Sequence, residues 1–373
     1  MLGQRKHETI VKQTFDAAVV GGGVIGAACT RFLAARGLSV ILCEPGPVPG
    51  AASPASAGML AAQIEPMPPA ALELALLARN RYRTLAPALK DSTGIDIALW
   101  QGGIAALAFD DSRVERLRAM ASSDTRWLDA REVQHRWPGV GGDCRGALFA
   151  PHDGAVDPQA LTTALIGDAR RWGAVVSRAA VRSVQVERGR VNGVVTAEGA
   201  ISAGHVVIAA GAWSTQIEQL PRALAVEPVR GQMAATSWPP GTPPAVLYYD
   251  HSYVLARGTE ALLGSTMEHA GFDARVTNEG LAQLFRCAGR VLPALLRQPV
   301  MRMWAGLRPL TPDGQPFVGS DPEAPNLFYA TGHGRNGVLL AALTGEVVAD
   351  LVTGRLPAID VSAWRVDREM NPT

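Results

Sequence analysis

The clearest pattern of hydrophobic and polar positions lies near the N-terminus. Residues 15–20 form a short apolar run without helical spacing, which predicts a buried strand. Apolar positions in residues 24–36 recur at helical spacing, Gly37 supplies a stop, and residues 39–43 predict a second buried strand. The pattern therefore predicts a strand, a turn, a helix and a second strand, as in α/β proteins.

Three glycines occupy the turn between the first strand and the helix, in the spacing GxGxxG. Gly21 permits a tight turn, Gly23 lets the backbone approach a pyrophosphate, and Gly26 lets the helix pack closely on the strand. Glu44 ends the second strand, where a carboxylate can accept hydrogen bonds from the ribose hydroxyls of an adenosine. In a chain with 39 glycines the motif alone is weak, but strand, helix and carboxylate together predict dinucleotide binding.

Strand and helix patterns continue along the rest of the chain. Further extended segments are predicted at residues 95–100, 104–109, 174–177, 184–187, 191–196, 205–210, 226–236, 246–266, 301–306 and 327–331. Further helices are predicted at residues 70–89, 112–121, 129–136, 157–172, 278–291 and 338–353. The stretch between Glu44 and the first of these helices is rich in Gly, Pro, Ala and Ser; it is either a plain surface linker or a loop that lies close against a ligand.

The overall composition is that of a globular protein with more than one domain. A length of 373 residues exceeds what one compact core usually holds, and 47% of the residues are hydrophobic. The 35 Lys and Arg residues balance 34 Asp and Glu residues without a dense basic run, so nucleic acid is not an expected partner.

The four cysteines, Cys29, Cys43, Cys144 and Cys287, lie far apart without CxxC spacing or a nearby histidine set. We therefore expect buried thiols in a reducing compartment and no metal site. The basic and apolar residues that precede Cys29 could also be interpreted as a signal peptide. Cleavage there would remove all three glycines of the turn, and the stretch is too short to span a bilayer, so a cytoplasmic location is expected.

Five segments of the chain carry more specific motifs. They read GGGVIGAACTRFLAARG, SPASAGMLAAQ, HVVIAAGAWS, WAGLRPLTPDGQPFVG and ATGHGRNGVLLAALTGE. Together they resemble the glycine oxidase and D-amino-acid oxidase family of FAD-dependent oxidoreductases, and most closely the glycine oxidases of thiamine biosynthesis, over about residues 15–365.

The resemblance implies an α/β fold in which an FAD-binding Rossmann-like domain with GxGxxG joins a second, α+β substrate domain built on an antiparallel sheet. The FAD-binding domain is predicted at residues 15–93, 150–225 and 302–365, and the substrate domain at residues 94–149 and 226–301. Residues 1–14 are predicted to be a flexible N-terminal extension.

The resemblance also implies which residues contact FAD. Beside the three glycines, these are Val24, Ile25, Glu44, Pro45, Ser53, Ala57, Gly58, Met59 and Val181, and the glycine turn after residues 205–210 adds Gly211. The residues that would enclose the flavin are His333, Gly334, Arg335, Asn336, Gly337, Val338 and Leu339. The start of the last helix would direct its partial positive charge towards the flavin. Related sarcosine oxidases attach flavin through a C-terminal cysteine, and no cysteine follows Cys287, so FAD is expected to be noncovalent.

On the substrate side, the resemblance implies that Arg308 of WAGLRP binds a carboxylate, assisted by Tyr253 of SYVLAR. His251 would lie near the entrance, and Arg335 would be a second substrate-side residue. Without the resemblance, an arginine, a tyrosine and a histidine at these places would be read as ordinary surface or sheet residues. Relatives commonly carry an aromatic residue where this chain has Gly334, which bears on which amine is preferred.

The implied activity is oxidation of glycine, sarcosine and other small amines or D-amino acids to the α-keto acid, ammonia or amine, and hydrogen peroxide, with a role in thiamine thiazole biosynthesis. Molecular oxygen is the expected acceptor, and no membrane span is expected. A D-amino-acid dehydrogenase that passes electrons to a quinone or a partner protein is one alternative, and a non-catalytic flavin-binding subunit is another. The presence of both Arg308 and Tyr253 argues against the subunit. Assembly into a homo-oligomer is left open.

We expect Gly23→Val to abolish FAD binding almost completely and Glu44→Ala to lower FAD affinity. A side chain at position 23 would occupy the space of the pyrophosphate, whereas a charged carboxylate contributes hydrogen bonds of about 1.5 to 3 kcal/mol. The flavin content of the purified variants measures the difference. A full complement of flavin in Gly23→Val would refute the nucleotide-binding prediction.

Overall fold

A computed structural model of the chain describes residues 14–47 and 50–370. The strands are β1 (Thr14–Val20), β2 (Val40–Cys43), β3 (Met59–Leu60), β4 (Ile104–Ala108), β5 (Arg126–Asp129), β6 (Gly146–Ala150), β7 (Gly154–Ala155), β8 (Val175–Ser177), β9 (Val181–Glu187), β10 (Arg190–Thr196), β11 (Gly199–Ile208), β12 (Glu227–Ser237), β13 (Val246–Tyr249), β14 (Ser252–Arg257), β15 (Glu260–Gly264), β16 (Val300–Leu310), β17 (Phe317–Ser320) and β18 (Leu327–Thr331). The helices are α1 (Val24–Ala35), α2 (Ala52–Ala55), α3 (Pro69–Thr93), α4 (Asp111–Ala119), α5 (Ala130–Arg136), α6 (Pro158–Arg171), α7 (Asn278–Val291) and α8 (Gly337–Val352). The predicted extension, residues 1–14, lies outside the described residues except for Thr14, which begins β1.

The first sheet has β1 near its centre. Its main strand order is β17-β18-β11-β1-β2-β8, with β10 and β9 added as antiparallel strands beside β11. The strands β18, β11, β1, β2 and β8 run parallel. Ala17 and Val19 of β1 pack with the helices α1, α3, α6 and α8, whereas Ala18 and Val20 pack on the opposite face. Because both faces of β1 are covered, its continuous apolar run is what a buried parallel strand requires.

The turn from β1 into α1 depends on two close backbone contacts. Gly21 has a φ of +100°, and a Cβ there would lie 2.6 Å from the Ala209 carbonyl oxygen. A Cβ on Gly26 would lie 1.8 Å from the Gly21 carbonyl oxygen. These distances confirm that a tight turn and close packing of helix on strand exclude side chains at both positions.

The second sheet has the order β16-β12-β15-β14-β13-β4-β6-β5. Its neighbours are antiparallel apart from the parallel pair β13 and β4. Leu284, Ala288 and Val291 of α7 pack on one face of this sheet, as the apolar side of the predicted helix requires. The α/β fold with a second, largely antiparallel sheet is therefore confirmed.

Two predictions from the sequence need correction. The boundary predicted at residue 302 falls inside β16, which pairs with β12 from Glu227 to Thr236 and belongs to the second sheet. Residues 95–100 do not form a strand: Ala98 has a φ of +50°, and Trp100 makes only an isolated bridge to Ala155. The apolar side chains that suggested a strand are retained because Ile97 is buried in the core beside α3 and α6.

The two sheets are joined by contacts with the small-residue loop that follows β2. Trp304 of β16 donates from Nε1 to the Ala55 carbonyl oxygen at 2.9 Å, and the Leu307 amide donates to Gly50 at 2.7 Å. Arg257 of β14 donates to the carbonyl oxygens of Ala57 and Val156 at 2.6 and 2.7 Å. This loop therefore connects the sheets rather than serving as a plain surface linker.

No helix in the described part of the chain has the length and apolar character needed to cross a bilayer.

Candidate active site

A cavity of about 1270 Å³ runs from the glycine turn of the first sheet to the inner face of the second. The predicted cofactor residues that line it are Gly21, Gly23, Val24, Ile25, Glu44, Pro45, Ser53, Ala57, Gly58, Met59, Val181, Gly211, His333, Gly334, Arg335, Asn336, Gly337 and Val338. Arg308 and Tyr253 line it as well. The fold thus collects residues from three distant parts of the chain around one space.

Two of the predicted cofactor residues lie outside this lining. Gly26 faces the Gly21 carbonyl, in agreement with a packing role. Leu339 is buried in the core with α1 and α3 and does not reach the cavity. Because Gly337 and Val338 lie at the start of α8, only the first turn of this helix faces the cavity, and the helical rotation directs Leu339 inwards.

At the glycine turn, side chains hold the backbone in place. Glu44 accepts hydrogen bonds from the amides of Gly22 and Gly46 at 2.6 and 3.0 Å. Ser53 accepts one from the Val24 amide at 2.9 Å, so its hydroxyl proton remains available to another acceptor. Ser53 Oγ is the one described neighbour within 4 Å of a Cβ placed on Gly23, at 3.1 Å. The space in front of Gly23 is therefore open, as a phosphate group requires.

The opposite end of the nucleotide-binding half is formed by the 3₁₀ turn Gly334–Asn336 and the start of α8. His333 precedes this turn, its Nε2 lies 3.0 Å from the Thr344 hydroxyl, and its buried Nδ1 has no hydrogen-bond partner among the described residues. Burial lowers the pKa of His333 to about 3, so its imidazole is neutral at neutral pH. The neutral ring therefore adds no positive charge of its own beside the helix start.

Arg308 projects from β16 into the second-sheet half of the cavity. Its guanidinium donates to the Thr266 carbonyl oxygen at 3.1 Å and to the Ser265 hydroxyl. A Cβ on Gly231 of β12 would lie 2.1 Å from Arg308 Nη1, so the absence of a side chain there makes room for the guanidinium. Arg308 therefore lies flat against the backbone of the neighbouring strand.

The charge of Arg308 has no carboxylate partner among the residues that the structure describes. The nearby carboxylates are already paired, Glu65 with Arg335 at 2.7 Å and Glu268 with Arg230. Burial lowers the pKa of Arg308, although a guanidinium remains charged at neutral pH. A desolvated cation without a counter-ion is costly, and an anionic ligand would compensate it.

Tyr253 of β14 lies beside this guanidinium site. Its hydroxyl contacts Met233 Sδ at 3.3 Å, and a Cβ on Gly264 would lie 2.6 Å from Tyr253 Oη. Gly264 directly precedes Ser265, which binds Arg308, so the two predicted substrate residues share one stretch of backbone. Burial raises the pKa of Tyr253, which keeps the phenol protonated and able to donate.

Arg335, the other predicted arginine, is held in a cluster with Glu65 and Tyr248. The Tyr248 hydroxyl donates to Glu65 Oε1, the same oxygen that pairs with Arg335. Burial alone would lower the pKa of Arg335, but Glu65, Tyr248 and Tyr253 together outweigh burial and the pKa is raised. The charge of Arg335 is thus satisfied within the protein, whereas that of Arg308 is not.

The sequence predictions did not include Glu65 or Tyr248. Tyr248 could have been found, because a hairpin that pairs it with Tyr253 directs both side chains to one face. Glu65 lies in the loop after β3, where the Gln63 amide donates to buried Asp153 at 2.9 Å and Asp153 also pairs with Arg79 of α3. These contacts join residues that are far apart in the sequence, so no local spacing predicts the position of Glu65.

His251 is not among the residues that line the cavity. It lies exposed in the turn between β13 and β14, with a φ of +60°. His251 contacts the cavity-lining Arg335 through its backbone: its carbonyl oxygen lies 3.5 Å from Arg335 Nη2. The structure therefore does not bring the His251 side chain to Arg308.

Comparison with known proteins agrees with this geometry. Residues 16–351 match the family described as FAD dependent oxidoreductase. The chain belongs to this family. FAD is accordingly its cofactor. The predicted family resemblance is confirmed.

Individual relatives are similar over nearly the whole chain. The glycine oxidase of Bacillus licheniformis is 36% identical over 366 residues, which cover 96% of this chain and 99% of that protein. The bifunctional protein ThiO/ThiG of Trichormus variabilis is 34% identical over 91% of this chain and 53% of its own length. The crystal structure of the glycine oxidase from Geobacillus kaustophilus superimposes with a TM-score of 0.91 at 32% identity, and covers 96% of this chain and all of that one.

The residues present fit FAD. The open space at Gly23, the free proton of Ser53 and the first amides of α1 suit a pyrophosphate, and Glu44 retains acceptor capacity for ribose hydroxyls. The start of α8 and the buried His333 Nδ1, which has no hydrogen-bond partner among the described residues, suit the flavin end.

We expect Gly231→Ala to weaken carboxylate binding about tenfold or more, because a methyl group there displaces the Arg308 guanidinium and its charged hydrogen bonds. The Kd of acetate, followed through the absorbance of bound flavin, measures this loss. Gly142→Ala is the matched control, since a Cβ there meets no described atom within 4 Å. Equal acetate affinity in the two variants would contradict the assignment of Arg308 to a carboxylate.

Proposed function

We propose that this chain is a glycine-oxidase-type enzyme that oxidises small amino acids such as glycine and sarcosine, with noncovalent FAD and molecular oxygen as acceptor. The observation that carries the proposal is Arg308: a charged guanidinium without a carboxylate partner in the described chain, inside the same cavity as the nucleotide-binding turn. The names of the relatives support the same substrate class.

Substrate binding follows from the geometry around Arg308. A guanidinium presents parallel donors that a carboxylate can bind in a bidentate manner, and the Tyr253 phenol lies on the same backbone stretch as an additional donor. The positive charge of Arg308 also disfavours a protonated ammonium group close by, so it favours the neutral amine that oxidation needs. Because Arg335 is already paired with Glu65, the site favours a substrate with one carboxylate.

Bound FAD would supply the redox chemistry: an acceptor for the hydride of the α-carbon and a carrier of its two electrons to dioxygen, which with two protons becomes hydrogen peroxide. The resulting imine is hydrolysed by water to the α-keto acid, glyoxylate for glycine, and ammonia or an amine. The contribution of the protein is to bind the carboxylate and to orient the α-carbon.

Three further parts of the proposal concern the link between protein and FAD, the cellular location and the metabolic role. Cys287, the last cysteine, lies on α7 with its thiol near the Tyr249 carbonyl and is not among the cavity-lining residues, which supports noncovalent FAD. All four cysteines are free thiols, which supports a cytoplasmic site of action. The ThiO/ThiG name of one relative supports a role in thiamine thiazole synthesis.

Oxygen uptake by the purified flavoprotein with glycine, sarcosine and D-alanine tests the proposed reaction. We expect oxygen consumption with stoichiometric hydrogen peroxide. Reduction of a dye without oxygen use would instead identify a dehydrogenase, and an unbleached flavin with every amine would identify a non-catalytic subunit.

Arg308→Ala and Arg308→Lys separate substrate binding from cofactor binding. Loss of one or two charged hydrogen bonds, at roughly 1.5 to 3 kcal/mol each, predicts a fall in kcat/KM for glycine of about tenfold to several-thousandfold. Lysine should not restore activity, because an ammonium lacks the planar pair of donors.

A simple alkylamine is the control substrate, since it has no carboxylate and should lose much less activity in both Arg308 variants. Flavin content should stay normal. An equal loss for glycine and the alkylamine, or a loss of flavin, would show that Arg308 is structural.

A further inference from the structure

Four arginines line the cavity at its outer, nucleotide-binding end. They are Arg170, Arg171, Arg178 and Arg182. All four are exposed although they line the cavity, which places them at its mouth. Within the described residues none of the four forms an ion pair with a carboxylate. Four exposed guanidinium groups without an internal counter-ion give this end of the cavity a positive charge, which an anionic ligand would complement.

Arg178 lies directly against the turn that carries Glu44. A Cβ on Gly46 would lie 2.9 Å from Arg178 Nη1, and the Gly46 amide donates to Glu44 Oε1 at 3.0 Å. The guanidinium therefore borders the ribose position without neutralising the carboxylate. Arg182 follows Val181, which lines the same end of the cavity, at the start of β9.

The charge of this end matches that of the FAD pyrophosphate. The carboxylates that line the nucleotide-binding end are Glu44 and Glu218, so four arginines leave an excess of about two positive charges. A pyrophosphate diester carries about two negative charges. Arg170 and Arg171 also interact favourably with the C-terminal end of α6, but Arg178 and Arg182 are not part of any helix.

We propose that these four arginines form an electrostatic entrance for FAD: they attract the pyrophosphate of the free cofactor to the cavity mouth and direct the adenosine end towards Glu44. The entrance acts during cofactor capture and is independent of which amine the enzyme oxidises. Exposed charges act over a Debye length of about 8 Å at physiological ionic strength, so they raise the association rate more than they slow dissociation.

The test is the rate at which the full-length, flavin-free chain binds FAD, followed by quenching of flavin fluorescence after rapid mixing. The variant is Arg178→Gln/Arg182→Gln. The matched control is Arg188→Gln/Arg190→Gln, which removes two exposed arginines from the neighbouring hairpin turn outside the cavity lining. Both double variants change the net charge equally.

At low ionic strength we expect association to be about tenfold slower in the entrance variant than in the control, and the difference to shrink in about 0.5 M salt. The dissociation rate should remain close to that of the control. Association as fast as in the control, or faster dissociation with unchanged association, would overturn the proposal.

Binding of ADP and of adenosine to the two double variants distinguishes a loss of charge attraction from a change in the shape of the pocket. Both ligands compete for the adenosine end, but only ADP carries a pyrophosphate. The entrance variant should bind ADP more weakly than the control does and adenosine equally well. An equal loss for both ligands would show that the arginines shape the pocket rather than attract an anion.

Discussion

The arrangement of the second sheet around the cavity depends on one unpaired positive charge, the guanidinium of Arg308. Arg308 reaches the cavity because β12 has a glycine at position 231 where any side chain would collide with the guanidinium. Ser265 and the Thr266 carbonyl fix its direction, and the neighbouring carboxylates Glu65 and Glu268 are held by other arginines. Because these two carboxylates are paired with other arginines, Arg308 is not neutralised within the described chain and its charge is left for a ligand.

The first sheet contributes open space at the glycine turn, where a pyrophosphate can bind. The turn from β1 into α1 excludes side chains at Gly21 and Gly26 because backbone atoms occupy the space, whereas the space beside Gly23 is open. The loop after β2 joins the two halves, because Ala55 and Ala57 accept hydrogen bonds from Trp304 and Arg257 of the second sheet. The same small residues that allow close approach to a cofactor therefore also hold the second sheet in position.

Features encoded by local spacing were predictable from the sequence. The glycine turn, Glu44, the last helix and the extended segment that carries Tyr253 each depend on residues within about one element of one another. The charge balance at the site was not predictable in this way. Glu65 and Arg335 are 270 positions apart by their numbers, and only the packed structure shows that they pair.

The wrong predictions also arise where the packed structure, and not local spacing, decides the outcome. Residues 95–100 look like a strand because burial and extension select similar side chains, but Ile97 is buried without a sheet partner. Leu339 belongs to a matching motif, yet the rotation of α8 directs it into the core. The boundary at residue 302 failed because β16 is continuous, and its N-terminal part carries no signal that separates it from Arg308.

The most direct test of Arg308 as the carboxylate site is a crystal structure of the holoenzyme with glycolate, the hydroxyl analogue of glycine. We expect both carboxylate oxygens within hydrogen-bond distance of the Arg308 guanidinium, with the Glu65 and Arg335 pair intact. A carboxylate bound to Arg335 with Glu65 displaced, and Arg308 still contacting only Ser265 and Thr266, would contradict this assignment.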